Sequence, residues 1–231
     1  MKKAVVEKLK TKYNVDWFDE TGADYTIQVA LLKDVATLTI DSSGASLHKR
    51  GYRAEAVTAP LKESMAAAMI NLSYWKRDRI LLDPMCGSGT IPIEAALMAR
   101  NIAPGLNRKF ASENWERIGT QCWKQERKNA YASIDYDCNP MIFGSDIDPQ
   151  AIETAKENAE KAGVDDCIHF EVKRCQEIHL PGEYGCLISN PPYGERIGEL
   201  KEVENSLEKS EKKANKLDEI LTKWFIKLQN L

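Results

Sequence analysis

The sequence predicts an α/β protein built on a parallel sheet, preceded by a small α+β segment. Three stretches carry that prediction. The apolar run Ile80-Leu81-Leu82 leads into Asp83-Pro84-Met85-Cys86-Gly87-Ser88-Gly89-Thr90, and apolar residues then recur at helical spacing over 91–99. A second run, Met141-Ile142-Phe143, ends in Gly144-Ser145-Asp146 and is followed by a helix start at Asp148-Pro149. Two short apolar runs follow, 168–172 and 185–189, the latter passing directly into Asn190-Pro191-Pro192-Tyr193. Strands that alternate with helical patterns form parallel sheets. In open sheets of this kind ligands bind beyond the carboxyl ends of the strands, where all three turns lie.

Taken in order, 5–12 reads as a short helix, and 17–18, 25–32 and 35–41 read as strands. Tyr25-Thr26-Ile27-Gln28-Val29-Ala30 alternates as a half-buried strand does, and Lys33-Asp34 fits a tight hairpin connection. Pro60 suits the first turn of a helix over 61–72 whose apolar face is Leu61, Met65, Ala68, Met69 and Leu72. This helix is placed to cover the ligand from the other side. After the glycine turn and its helix, 113–116 and 121–126 suggest an inserted, aromatic-bearing helix pair. Asp148 is the expected N-cap of the helix that Gly163 ends, with Ala151, Ile152, Ala155, Ala159 and Ala162 on its buried face. From 201 to 231 the chain is charged and helical, with Leu217, Ile220, Leu221, Trp224, Phe225 and Leu228 forming an amphipathic stripe.

The 231 residues are 43% hydrophobic and 29% charged, enough for one sizeable core and a smaller appendage. No run approaches the roughly 18 consecutive apolar residues of a membrane span, and no secretory h-region follows Met1. The six cysteines form no Cys-x-x-Cys pair and the three histidines are dispersed, which argues against a metal centre and a disulfide framework and for a cytoplasmic protein. The net charge of −3 does not advertise a nucleic-acid binder, so local basic clusters matter more. Lys49-Arg50 with Arg53, and Arg108-Lys109, are the candidates; each is either such a patch or a solvated surface charge.

The glycine turn lets a ligand approach the backbone, and the first amides of its helix point at that ligand. Asp83 at the strand end disfavours a phosphate and suits an ammonium, so a cofactor with a cationic or zwitterionic head fits better than a dinucleotide. The Gly-x-Gly-x-x-Gly pattern of pyrophosphate binders is absent from this turn. Asp146 ends a strand where a carboxylate accepts hydrogen bonds from both hydroxyls of a ribose, and Ile147 offers an apolar edge to an adenine. With Asp148 capping the next helix, Asp146 is expected to be free for that task. Asn190 offers a side-chain carbonyl, Pro191 and Pro192 stiffen the loop without competing donors, and Tyr193 offers a ring for stacking. Such a set suits a planar exocyclic amine that gains positive charge as it attacks a methyl carbon.

These motifs, with Lys49-Arg50-Gly51-Tyr52-Arg53, Ala59-Pro60-Leu61-Lys62-Glu63 and Ala103-Pro104-Gly105-Leu106-Asn107-Arg108, resemble the S-adenosylmethionine-dependent methyltransferases that accompany THUMP RNA-binding domains. These are the guanine-N2 methyltransferases of 23S rRNA and tRNA, also labelled N6-adenine-specific DNA methylase-like. The resemblance covers roughly 15–198. It implies a Rossmann-like class I methyltransferase, a three-layer sandwich with a parallel central sheet, over 47–199. Residues 1–46 would be the tail of a THUMP-type region and 200–231 a helical C-terminal segment. It also implies that Asp83, Pro84, Cys86, Gly87, Ser88, Gly89 and Thr90 line the methionine end of S-adenosyl-L-methionine. Asp146 would hold the ribose, Ile147 the adenine, and Asn190, Pro191, Pro192 and Tyr193 the target base, with no metal.

Two departures from the family pattern stand out. Lys173-Arg174-Cys175-Gln176 occupies the place of a usual acidic contact to the adenine amine, leaving Gln176 or a backbone carbonyl to replace it. The strands that normally follow the Asn-Pro-Pro-Tyr loop have no counterpart in 200–231, so the chain is expected to lack its last strands. An exposed sheet edge would then favour partner contacts or self-association, or leave activity weak. The expected substrate is the N2 amine of a guanine in 23S rRNA. The competing readings are tRNA guanine-N2, N6-adenine in DNA or RNA, a protein glutamine, and a non-catalytic module that holds cofactor or RNA.

Overall fold

A computed structural model describes residues 2–18, 21–53, 61–178 and 185–191. The predicted helix over 201–231 and Pro60 lie outside these residues. The chain divides into two compact units, Met1–Ala45 with Lys109–Gln125, and Ser46–Arg108 with Glu126–Leu231.

In the first unit, helix α1 (Lys2–Tyr13) precedes strands β1 (Thr26–Leu32) and β2 (Val35–Asp41), which pair antiparallel from Thr26↔Asp41 to Leu32↔Val35. Lys33 and Asp34 both adopt left-handed backbone, at φ 47° and 61°, as a two-residue hairpin turn requires. Residues 17–18, expected as a strand, are not one; Trp17 and Phe18 have no ladder partner in the hairpin. The segment 109–125 belongs to this unit through specific contacts. Trp115 stacks on Tyr25 with ring centroids 4.9 Å apart and donates its indole N–H to the Asp24 carbonyl at 3.0 Å. Ser112 donates its hydroxyl to the Ser42 carbonyl at 2.9 Å. The expected helix pair is a 3-10 turn (Ala111–Asn114) and then α4 (Thr120–Ala132).

The second unit holds the sheet. Strands β3 (Ile80–Asp83), β4 (Ile142–Asp146), β5 (Ile168–Val172) and β6 (Gly185–Leu187) are all parallel, in the order β5-β4-β3-β6. The chain runs outward from β3 to β4 and β5, then returns to the other side of β3. The strand order therefore reverses between β3 and β6, and the crevice beyond such a switch point is where open α/β sheets bind ligands. Helices α3 (Thr90–Ala99) and α5 (Pro149–Ala162) lie in the crossovers from β3 to β4 and from β4 to β5. Asp148 caps α5 by accepting from the Gln150 N–H at 2.9 Å, and Gly163 ends it in the left-handed region at φ 72°. Leu81, Ile91, Ile93, Ile142 and Ile152 are fully buried between helices and sheet.

Helix α2 (Glu63–Leu72) packs on α3 with a face that only partly matches the expected one: Leu61 and Met69 pack against the core, whereas Met65, Ala68 and Leu72 are exposed. Glu63, Ala66 and Ile70 are buried, whereas Met65 is 55% and Leu72 81% exposed. The stripe is rotated because Glu63 faces inward to an arginine, as described below. Close packing also sets a glycine that the sequence reading assigned no task. A Cβ on Gly144 would lie 2.7 Å from the Phe170 ring. Gly144→Ala is expected to lower stability by about 1–3 kcal/mol, read as a fall in the denaturant midpoint at unchanged slope.

Candidate cofactor and target-base site

The site lies at the carboxyl ends of β3, β4 and β6. Asp83 ends β3 and is fully buried. Its Oδ1 accepts from the Ser189 hydroxyl at 2.7 Å and from the Met85 N–H at 3.3 Å. Burial pushes its carboxyl up to about 7; the Ser189 and Met85 donors hold it down, and the neighbouring Asp146 charge adds to the rise. The Ser189 bond bridges the switch point. It ties the residue before Asn190 to the start of the glycine turn, 106 positions away in sequence. The Ile188 N–H donates to the Leu82 carbonyl at 3.0 Å and sets the same register.

The glycine turn is held from two sides. Gly87 and Gly89 are both left-handed, at φ 52° and 78°. A Cβ at Gly87 would meet nothing within 4 Å, so this glycine leaves open space. Gly89 is different: its Cβ would lie 2.9 Å from that of Ala155 and 3.1 Å from Phe170, so it lets α3 approach α5. The Cys86 N–H donates to the Ser145 carbonyl at 2.8 Å, and burial pushes the Cys86 thiol well above its ordinary range. Asn158 of α5, buried, donates its side-chain N–H to the Ser88 carbonyl at 3.1 Å. Pro84, Ser88 and Thr90 are buried within the turn.

Asp146 is not idle, contrary to expectation. Its Oδ2 accepts the Gly87 N–H at 2.9 Å and its Oδ1 the Asp148 N–H at 3.0 Å. These two bonds fix the carboxylate against the glycine turn, and each oxygen keeps a lone pair for a hydroxyl. Ile147 beside it is 63% exposed. Asn190 and Pro191, half-buried, follow the end of β6 after two intervening residues. Pro192, Tyr193 and the Gln176 side chain lie outside the described residues. The structure thus brings Asp83, the turn 84–90, Asp146 and Asn190 to one end of the sheet.

The arginines of the two basic clusters turn out to be structural, whereas Lys49 and Lys109 are exposed. Arg53 donates from Nε to Glu63 Oε1 at 3.0 Å, and from Nη2 to the Leu61 carbonyl and the Thr90 hydroxyl, each at 3.0 Å. Arg50 pairs with Glu94 at 3.5 Å, and the Tyr52 hydroxyl donates to the same carboxylate at 3.1 Å. Burial pushes the Glu94 carboxyl up, against the pull of Arg50 and Tyr52. Arg108 is buried and donates to the Ser46 carbonyl at 2.9 Å. Arg50, Arg53 and Arg108 are therefore neither solvated charges nor an exposed patch. Sequence reasoning missed Ser189, Asn158, Glu63 and Glu94. An interior Glu-x-x-x at helix spacing from apolar residues was the only signal for the last two.

Residues 50–225 match the family described as "RMKL-like, methyltransferase domain", and residues 1–41 match the THUMP domain. The chain belongs to the RMKL-like methyltransferase family. One relative is YpsC of Bacillus subtilis (strain 168), provisionally named an RNA methyltransferase. It is 51% identical over 206 residues, covering 88% of this chain and 54% of the relative. Another is the ribosomal RNA large subunit methyltransferase K/L of Shewanella sediminis (strain HAW-EB3), 46% identical over 181 residues, 76% of this chain and 26% of that protein. Among solved structures, SMU.472, provisionally a methyltransferase and solved with SAH, superposes with a TM-score of 0.83 at 44% identity, over 89% of this chain and 55% of that one. The chain thus spans about half the length of YpsC and of SMU.472. The switch-point sheet described above is the class I methyltransferase fold of this family.

Proposed function

We propose that this chain carries the catalytic part of an S-adenosyl-L-methionine-dependent RNA methyltransferase acting on the exocyclic N2 amine of a guanine, in 23S rRNA. The observation that carries the reading is the Ser189–Asp83 hydrogen bond at 2.7 Å. It joins the loop expected to hold the base to the turn expected to hold the cofactor, across the sheet's switch point. The family match, the SAH bound to SMU.472 and the rRNA named for the Shewanella relative all support it.

The residues present fit the cofactor. Asp83 offers a buried carboxylate to an ammonium, Gly87 leaves open space beside it, and the pre-oriented Asp146 offers lone pairs to ribose hydroxyls. When bound, the cofactor supplies an activated methyl group on a sulfonium. Everything else falls to the chain. The guanine is turned out of its stack to reach the site. The Asn190 side-chain carbonyl and the Pro191 backbone carbonyl accept the two amine hydrogens, drawing the nitrogen lone pair out of conjugation. The same fixed dipoles stabilise the positive charge that grows on nitrogen. Tyr193 stacks on the base, and Pro192 keeps the loop stiff and free of a competing N–H.

No described helix is long and apolar enough to cross a membrane, and no group of His, Cys, Asp and Glu among the described residues is arranged to hold a metal. The test is transfer of labelled methyl from the cofactor to unmodified ribosomal RNA, followed by digestion and mass spectrometry. N2-methylguanine in 23S rRNA is the expected product. N6-methyladenine would overturn the choice of base, and no transfer to any RNA would overturn the reaction.

A further inference from the structure

We propose that Arg53 is the anchor for the carboxylate at the amino-acid end of the cofactor. This rests on the cofactor reading above, but not on which base is methylated. The Arg53 guanidinium has five N–H groups. Three are used: Nε on Glu63, and Nη2 on the Leu61 carbonyl and the Thr90 hydroxyl. Nη1 is buried and meets no acceptor among the described residues. A buried donor left unpaired is costly, and a charged one more so. Glu63 and Leu61 hold the Nε and Nη2 edge, so the fork is fixed with its Nη1 donors uncommitted.

The place of that donor is what points to a carboxylate. Thr90, held by Nη2, is the first residue of α3. Gly89 before it caps the helix with no side chain, so the first amides of α3 have no side-chain acceptor. Uncapped amides and an unmatched guanidinium N–H together favour a planar anion there. A doubly charged phosphate would also meet the carboxylates of Asp83, at the start of the glycine turn, and of Asp146, which is bonded to it through the Gly87 amide. A zwitterion meets no such conflict: its ammonium faces Asp83 and its carboxylate faces Arg53. The buried Arg53–Glu63 pair is then more than a brace for α2, because it aims the guanidinium at the helix start.

The test compares two ligands by calorimetric titration of the full chain. S-adenosylhomocysteine carries both charged groups. S-adenosyl-3-thiopropylamine keeps the adenosine, the thioether and the ammonium, and lacks only the carboxylate. Wild-type protein is expected to bind the first roughly tenfold to a hundredfold more tightly. Arg53→Gln is expected to bind both alike, with the affinity for the amine unchanged. If Glu63, left without its cation, unfolds that variant, Arg53→Gln/Glu63→Gln removes both charges and gives the same readout. A variant that still prefers S-adenosylhomocysteine, or that loses both ligands in parallel, overturns the proposal. Wild-type protein that binds both compounds equally overturns the role of Arg53 alone. Wild-type protein that binds neither overturns the cofactor reading with it.

Discussion

Asn190→Ala is expected to lower methyl transfer by roughly two to three orders of magnitude, the usual effect of removing one group that acts on charge developing in the transition state. Cofactor affinity should hardly change. Asn190 follows β6 on the far side of the switch point from the glycine turn, and the Ser189 side chain, which bonds to Asp83 across it, is left in place by the substitution. The side-chain carbonyl of Asn190 is proposed to accept an amine hydrogen. In the ground state that bond is ordinary; it strengthens as the nitrogen becomes cationic. The loss should therefore appear in the turnover rate at saturating cofactor, with the calorimetric affinity for S-adenosylhomocysteine retained. A variant that loses cofactor affinity to the same extent as rate would place Asn190 in the binding of cofactor and remove it from the chemistry.

Cofactor affinity should also depend on pH through Asp83. Its carboxyl is pushed up to about 7 by burial, with Ser189 and Met85 opposing and Asp146 reinforcing the rise. In the free protein, Asp83 is largely protonated below that value and gives an ammonium no charge to face. Binding the ammonium favours the ionised form and draws the titration lower. Affinity for S-adenosylhomocysteine should thus weaken as pH falls below about 7, by up to about tenfold per pH unit until the bound form is itself protonated. Stability runs the opposite way. The folded state holds this proton more tightly than the unfolded chain, so free-protein stability falls as pH rises from about 4 toward 7. Asp83→Asn removes the buried charge. At pH 8 it should stabilise the free protein by about 2–4 kcal/mol while binding S-adenosylhomocysteine weakly and without pH dependence below 7. Calorimetry and thermal melts at several pH values check both halves. A variant less stable than wild type at pH 8 would contradict the account.

The parts of this fold that local chemistry decides were legible in the sequence. Lys33-Asp34 between alternating runs marked the hairpin, Asp148-Pro149 and Gly163 marked the ends of α5, and the strands beside the glycine turn followed from their apolar runs. What distant pairing decides was not. Glu63 counts as polar in any periodicity, yet Arg53 makes it an interior residue and so rotates the buried stripe of α2 from Met65 and Leu72 to Ala66 and Ile70. The three alanines 66–68 gave no contrast to correct the phase. Asp146 reads as an uncommitted acid until the Gly87 amide, 59 positions earlier, is seen to hold it. Residues 109–125 carry aromatic residues that look like a helical insertion, but it is Tyr25 and Asp24 that settle where Trp115 goes. Of the loop proposed to hold the base, Asn190 and Pro191 lie just after β6, and the roles of Asn190, Pro191, Pro192 and Tyr193 all stand as proposals.

The interior positions of Arg50, Arg53 and Arg108 change how this chain should respond to ionic strength. Protein–RNA affinity falls with added salt in proportion to the phosphates neutralised, about 0.7 per contact on logarithmic axes for single strands. Three guanidiniums already engaged with carboxylates and main-chain carbonyls displace no counterions when an RNA docks. The salt slope of RNA binding should accordingly be shallower than a tally of the 32 lysines and arginines suggests. On the proposed function, selection among RNAs would then lean on the shape around the flipped nucleotide and less on long-range attraction.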